Sequence, residues 1–244
     1  VSDTLFINEI YLSLQGESTR AGVPCVFVRL TACDLRCSYC DTAFAFRAGT
    51  KRPIEDVLTD VRSLAQPYRK WFKAPLLPLI EITGGEPLLQ AAVLPFMKQL
   101  CDEGYTVLLE TSGAHDVSKV DERVHRIMDL KCPSSGETGR NRWENLHHLT
   151  PNDEIKFVIG TEEDYLWMRQ ILSRHELEQI CPLLVSWVQP LTPDQAEGSL
   201  KPVPQGVTPV TRQWLAERIL ADQLPVRFQV QMHKVIWPAN RRGV

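Results

Sequence analysis

The chain has 244 residues, 43% of them hydrophobic and 23% charged, with a formal net charge of -3. That size can bury a substantial core without staples, and the mild acidity excludes a global attraction to nucleic acid or anionic lipid. No apolar run approaches the ~20 residues that cross a bilayer, and the opening VSDTLFINEI carries no basic-then-apolar leader. A cytoplasmic protein with no membrane span and no nucleic-acid partner is expected.

In chain order, a strand is predicted over 23–30 (VPCVFVRL), a helix over 54–65, a strand over 78–83 and a helix over 88–103. Strands follow over 105–111, 125–130 and 154–160, then a helix over 161–173, a strand over 183–190, a helix over 208–223 and a strand over 226–232. In the second helix Leu88, Leu89, Val93, Phe96, Met97 and Leu100 recur at spacings of three and four, just after Pro87. Several strands are apolar almost throughout, as expected where helices cover them. The alternation predicts a single α/β domain, residues 1–244, with a largely parallel sheet. Residues 132–145 and 190–209, rich in turn formers, are read as surface loops.

Seven cysteines are present, three of them at C-x3-C-x2-C spacing: Cys33, Cys37 and Cys40. They directly follow a predicted strand, at the sheet edge where α/β proteins collect ligands. Cys25, Cys101, Cys132 and Cys181 stand beside apolar residues and read as small buried hydrophobes. Two metal chemistries suit the triplet. Structural zinc normally takes four protein ligands, which would require recruiting a distant histidine such as His115, His125 or His233. A [4Fe-4S] cluster held by three thiolates would leave one iron open to a small molecule. A zinc-stabilised binding module is therefore the non-catalytic alternative.

The triplet, with Tyr39 ahead of its last cysteine, and Gly84-Gly85-Glu86-Pro87 after the second predicted strand together resemble the radical S-adenosylmethionine (SAM) superfamily. The segment Leu14-Gln15-Gly16-Glu17, then Gly22-Val23-Pro24, Arg29 and Cys40-Asp41-Thr42 resemble the 7-carboxy-7-deazaguanine synthases. Glu110-Thr111-Ser112-Gly113, Gln189-Pro190 and Gln231-Met232-His233-Lys234 extend that similarity to the C-terminal region. A glycyl-radical activase, which shares the triplet, is the rival enzyme class; the Leu-Gln-Gly-Glu stretch and Arg29 count against it.

The resemblance implies a modified, partial (β/α) barrel with about six strands. It also implies conversion of 6-carboxy-5,6,7,8-tetrahydropterin to 7-carboxy-7-deazaguanine with loss of ammonia, a lyase reaction of queuosine biosynthesis. SAM, bound at the open iron, would be cleaved reductively, and the resulting radical would take a hydrogen atom from the pterin. The cofactors implied are a [4Fe-4S] cluster on Cys33, Cys37 and Cys40, SAM, and Mg2+ at Thr42. SAM would lie against Tyr39, Cys40, Asp41, Gly85, Ser112, Lys131 and Gln189. The pterin would lie against Leu14, Gln15, Gly16, Glu17, Arg29 and Thr83, and against the C-terminal Val244 carboxylate at the end of NRRGV. An electron donor such as a flavodoxin and a homodimer are implied partners.

Bland roles stand beside these. Thr42 would bond its own backbone, Asp41 would cap a loop, Lys131 would be a solvated charge, Glu17 would make a surface salt bridge and Val244 would end a frayed tail. Many relatives carry Ser-Pro-Lys where this chain reads Asp129-Leu130-Lys131-Cys132-Pro133, so only the lysine carries over there. His233 and Lys234 match the family without an assigned role, a backbone-bonded buried histidine being the bland reading of the first.

Overall fold

The computed structural model describes residues 3–70, 78–193, 195–238 and 241–244; Val1, Ser2, Asp194 and Asn240, which fall within segments read above, lie outside the described residues. Among the described residues, nine strands form one sheet. They are β1 (Thr4–Leu14), β2 (Pro24–Leu30), β3 (Thr50–Pro53), β4 (Leu79–Gly84), β5 (Val107–Thr111), β6 (His125–Asp129), β7 (Glu154–Ile159), β8 (Leu183–Trp187) and β9 (Arg227–Gln229). The spatial order is β3-β1-β2-β4-β5-β6-β7-β8-β9, so the sheet is open, with β3 and β9 at its edges. From β2 to β9 every pairing is parallel, whereas β1 runs antiparallel to both β2 and β3.

The largely parallel sheet was legible, but the count of about six strands is corrected to nine. The seven strands predicted along the chain are β2 and β4 to β9, and the antiparallel β1 and β3 are the two not predicted. In β1, Asn8, Glu9 and Ser13 interrupt the apolar pattern, and β3 is a four-residue edge strand of exposed or half-exposed side chains.

Strand alternation sorts the side chains. On the outer face Val26, Val28, Leu30, Ile80, Ile82 and Leu109 pack against α1 (Ile54–Ala65) and α2 (Val93–Asp102). Ile155, Phe157, Ile159 and Val185 pack against α3 (Glu162–His175) and α4 (Arg212–Ala221). Fully buried Phe96, Met97, Tyr165 and Phe157 each contribute roughly 1.5–3 kcal/mol. The inner face begins with an apolar layer of Cys25, Phe27, Leu79, Leu108, Ile127 and Leu184. Two residues further along the strands, the same face carries Arg29, Glu81, Glu110, Asp129 and Ser186.

The helix over 54–65 forms as expected. α2 starts later than predicted, because a 3-10 turn at Pro87–Leu89 precedes it. The predicted helix over 208–223 shrinks to α4, with Thr211 capping Trp214 N–H at 3.1 Å. At α3 a capping box between Thr161 and Asp164 fixes the start. Cys25, Cys101, Cys132 and Cys181 are buried and unpaired, as read from their neighbours. Residues 132–145, read as a surface loop, are in part internal: Ser134, Ser135, Glu137, Asn141 and Asn145 are buried. Their polar side chains make hydrogen bonds within the protein, which composition alone does not reveal.

The connection from β1 to β2 folds under the sheet. Ser18 N–H donates to Gln229 Oε1 at 2.8 Å, Thr19 Oγ1 donates to Glu154 at 2.5 Å, and Arg20 Nη2 lies 3.3 Å from His125 Nε2. His125 and Glu154 open β6 and β7, so this segment packs against the N-terminal ends of those strands. Its first residues, Gln15 to Glu17, line the cavity above.

Candidate active site

The cysteine loop packs between two neighbours. On one side, Gly84 adopts φ +145°, a conformation that excludes side chains, and a Cβ there would lie 2.6 Å from Leu30 N. A Cβ on Gly85 would run into Ala32 O and stand 2.8 Å from Cys33 Cβ. The glycine pair thus lets the end of β4 approach the loop, and Glu86 N–H donates to Ala32 O at 2.8 Å. The fully buried Glu86 carboxylate accepts from Ser112 N–H at 2.7 Å and Ser112 Oγ at 2.6 Å, tying this turn to the end of β5.

On the other side, Ser38 N–H donates to Ser135 O at 3.1 Å, Ser38 Oγ to Ser134 O at 2.6 Å, and Arg36 N–H to Glu137 Oε1 at 2.7 Å. Asp164 in turn accepts from Ser134 N–H at 2.7 Å. The segment 132–137 is therefore the wall that shapes the cysteine loop, a function hidden in its turn-rich composition.

Cys33, Cys37 and Cys40 line one end of a cavity of about 280 Å3. Burial pushes their thiols up, to about 11 for Cys33 and about 12 for Cys40, as it does for Cys37. Among the described residues, no three His, Cys, Asp or Glu side chains gather closely enough to hold a single metal ion. Among the described residues no histidine joins the three thiols in such a group. An iron-sulfur cube spreads its thiolates wider than a single ion does, and three soft donors without a fourth fit it. Electropositive help is at hand, because Lys131 opposes the rise of all three thiols. Tyr39 buries its hydroxyl beside them without a partner.

Beyond the thiols lies a layer of buried charge. Lys156 pairs with Glu110, stands 3.5 Å from Glu17 Oε2 and 3.9 Å from Asp129 Oδ2. Burial alone would lower the Lys156 ammonium, but Asp129, Glu110 and Glu17 overcome it and hold it well above its ordinary range. Lys131 Nζ sits 2.8 Å from Asp129 Oδ2 and is likewise raised against its burial. Asp129 Oδ1 is buried and unpartnered. Thr83 Oγ1 donates to Glu110 Oε2 at 3.2 Å. Gln15 Nε2 donates to Glu81, whose carboxyl is driven well up by burial and by the charge of Glu110. Arg29 is held by Glu9 at 2.8 Å and the Tyr11 hydroxyl at 2.9 Å.

The chain's end closes over the cavity. His233, on α5 (His233–Ile236), lies so close to Gly16 that a Cβ there would strike Nδ1. Lys234 Nζ lies 2.5 Å from Asp41 Oδ2, and Arg242 stacks 4.1 Å over the Phe44 ring.

All the candidate residues line this one cavity: Leu14, Gln15, Gly16, Glu17, Arg29, Thr83 and Val244 together with Tyr39, Asp41, Thr42, Gly85, Ser112, Lys131, Gln189 and the cysteines. Several bland readings are corrected. Lys131 is buried rather than solvated, and Glu17 faces Lys156 and Ser186 inside rather than forming a surface bridge. Thr42 Oγ1 donates to the Asp41 side chain at 3.0 Å rather than to its own backbone. Asp41 pairs with Lys234 and Val244 lies against the cavity. Glu81, Glu110, Asp129 and Lys156 were missed as site residues. Their signal is a charged residue inside an apolar strand, two places before an expected site residue in the case of Glu81, Glu110 and Asp129.

Residues 28–173 match the Radical SAM superfamily. A 7-carboxy-7-deazaguanine synthase of Koribacter versatilis is 45% identical across 98% of this chain and 99% of its own length. That of Chlorobaculum tepidum is 40% identical across 98% and 97%. The crystal structure of QueE from Escherichia coli, at 21% identity, shares the fold with a TM-score of 0.66, covering 94% of this chain and 95% of that one. Three thiols at one end of an open parallel sheet, matched along the whole chain by such relatives, place this protein in the radical SAM superfamily and, within it, in the 7-carboxy-7-deazaguanine synthase family.

Proposed function

We propose that this chain converts 6-carboxy-5,6,7,8-tetrahydropterin to 7-carboxy-7-deazaguanine and ammonia, as a carbon-nitrogen lyase of queuosine biosynthesis. The observation that carries this reading is the arrangement of one cavity. The cysteine loop follows the C-terminal end of β2, Leu14 pairs with Pro24 at its N-terminal end, and both segments line one cavity together with the buried charges. The relatives' names supply the product. When bound, the [4Fe-4S] cluster and SAM supply a one-electron cleavage whose product abstracts a hydrogen atom from the substrate.

The chain's own groups divide the remaining work. Cys33, Cys37 and Cys40 hold the cluster. Tyr39, Asp41, Gly85, Ser112, Lys131 and Gln189 form the SAM side, with the narrow Gly84-Gly85 turn admitting ligand to backbone. Leu14, Gln15, Gly16, Glu17, Arg29 and Thr83 form the pterin side, with Val244 closing it. Arg29 has a guanidinium fork suited to a carboxylate, preset by Glu9 and Tyr11. Thr42 gives its hydroxyl proton to Asp41, which leaves its lone pairs for Mg2+, a hard ion that keeps much of its water. His233, Lys234, Pro238 and residues 241–244 line the cavity and limit water there.

A flavodoxin-type donor would reduce the cluster, and a cytoplasmic, single-domain chain acting as a homodimer completes the reading. No helix among the described residues is long and apolar enough to cross a membrane. Anaerobic incubation with SAM, reductant, Mg2+ and the tetrahydropterin tests the reading. Formation of 7-carboxy-7-deazaguanine is expected; cluster-loaded protein that forms 5′-deoxyadenosine but no deazaguanine would refute it. About four iron and four sulfide per chain are expected, and stoichiometric zinc without sulfide would refute the cluster.

A further inference from the structure

Gln15 is only 4% exposed, yet it lines the cavity. Both ends of its side-chain amide are engaged. Glu17 N–H donates to Gln15 Oε1 at 3.0 Å, so that end has to be the oxygen. The other end, Nε2, donates to Glu81 Oε2. Flipping the amide would set its NH2 group against a backbone N–H, donor against donor, so the orientation is fixed. One N–H and one oxygen lone pair remain. A planar amide that offers an adjacent donor and acceptor matches a lactam edge, O=C–N–H, through two parallel hydrogen bonds. Asn and Gln read adenine by the same logic.

We propose that Glu81 is a positioning residue that locks the Gln15 amide and thereby makes the cavity select a ligand with a lactam edge. Glu81 lies on β4, two residues before Thr83, and is 2% exposed. It acts through Gln15. Burial, with the charge of Glu110, drives its carboxyl well above the ordinary carboxylate range, so it accepts the Gln15 N–H while lessening the negative charge it adds beside Glu110 and Glu17. Without that acceptor the Gln15 N–H would be buried unpaired and the amide would swing to find a partner. This inference rests on the pterin reading above, because the pterin ring presents such an edge.

The test uses cluster-loaded, SAM-bound full-length protein and two stable probes. One is 6-carboxypterin, which has the lactam; the other is 2,4-diaminopteridine-6-carboxylate, in which an amino group replaces the lactam oxygen. The wild type should prefer the first by roughly tenfold or more, since a paired site rejects a mismatched group strongly. E81Q, whose carbonyl still accepts the Gln15 N–H, should keep that preference. E81L should reduce it to within about threefold, mainly by weakening 6-carboxypterin binding; in turnover of the tetrahydropterin, KM should rise more than kcat falls. Iron content and SAM affinity, measured for each variant, separate this effect from misfolding. If E81L fails to load its cluster, E81M makes the same comparison. A preference unchanged in the leucine or methionine variant would overturn the role of Glu81 alone. Failure of the wild type to bind 6-carboxypterin would overturn the pterin reading and this assignment with it.

Discussion

Lys234 Nζ lies 2.5 Å from Asp41 Oδ2, joining the C-terminal helix to the residue that follows the last cysteine of the triplet. Asp41 Oδ1 accepts the Thr42 hydroxyl at 3.0 Å. A lysine nearly two hundred positions away thus sets the direction in which Thr42 points its lone pairs. It also gives the Gln231-Met232-His233-Lys234 segment the structural role that sequence comparison left open.

The pair should be visible in acid. Burial alone would raise the Asp41 carboxyl, but Lys234 overrides it and holds it at about 2, from an ordinary 3.8. A depressed carboxyl contributes stability that is complete above its unfolded value and is lost as pH falls through its folded value. Lys234→Met should cost roughly 2 kcal/mol at pH 7, and about half of that difference should be gone by pH 3. Urea titrations of both proteins at pH 7, 4 and 3 measure it. A constant difference across that range would count against the pair.

Thr42→Ala removes the oxygen proposed for Mg2+ and none of the thiols. Cluster content should stay at the wild-type level. The Mg2+ concentration for half-maximal turnover should rise roughly tenfold, the size expected for losing one oxygen contact to the ion. Iron analysis alongside a Mg2+ titration checks both halves. Loss of iron in step with loss of Mg2+ response would show that Thr42 serves the loop instead.

Gly85→Ala probes the approach of β4 to the cysteine loop. The added methyl meets Ala32 O and Cys33 Cβ, so the loop or the strand end has to move. Overpacking of this kind costs about 1–3 kcal/mol. Cys33 is the residue displaced, so iron content after reconstitution should fall as well as the melting temperature. A stable variant with full iron would show that the close approach is dispensable.

The sheet direction, α1, and the residues around the cavity were legible because each leaves a local mark. Apolar runs, a C-x3-C-x2-C spacing and Gly84-Gly85 can be read without knowing what lies across from them. What stayed hidden depends on partners distant in sequence. Ser134 and Glu137 look like loop residues until Asp164 and Arg36 are seen to bond them. Lys156 looks like a solvent-facing interruption in EIKFVI until alternation places it inside with Glu110. β1 carries too many polar residues to read as a strand, because its inner face turns Glu9 and Tyr11 toward Arg29. Polar residues that serve the site weaken the pattern by which strands are recognised.

Lys156 yields the sharpest prediction about the buried charges. It is 4% exposed and pairs with Glu110 while facing Glu17 and Asp129. Lys156→Met would leave those carboxylates together in a dry interior, and breaking such a pair costs about 3–5 kcal/mol. The pH dependence should also reverse. In the wild type, burial raises the Glu110 carboxyl, but Lys156 brings it below its ordinary value. Without Lys156, burial would outweigh the weaker lowering influence of Arg29 and Lys131 and raise the Glu110 carboxyl. A carboxyl raised on folding contributes stability below its unfolded value and loses it as pH climbs through the folded one. Lys156→Met should therefore be more stable at pH 5 than at pH 8, and adding Glu110→Gln should recover part of the loss by removing one stranded charge. Denaturant titrations of the single and double variants at both pH values measure this. If the double variant is less stable than Lys156→Met alone, or the single variant is more stable at pH 8, Lys156 is not the counter-ion of this layer.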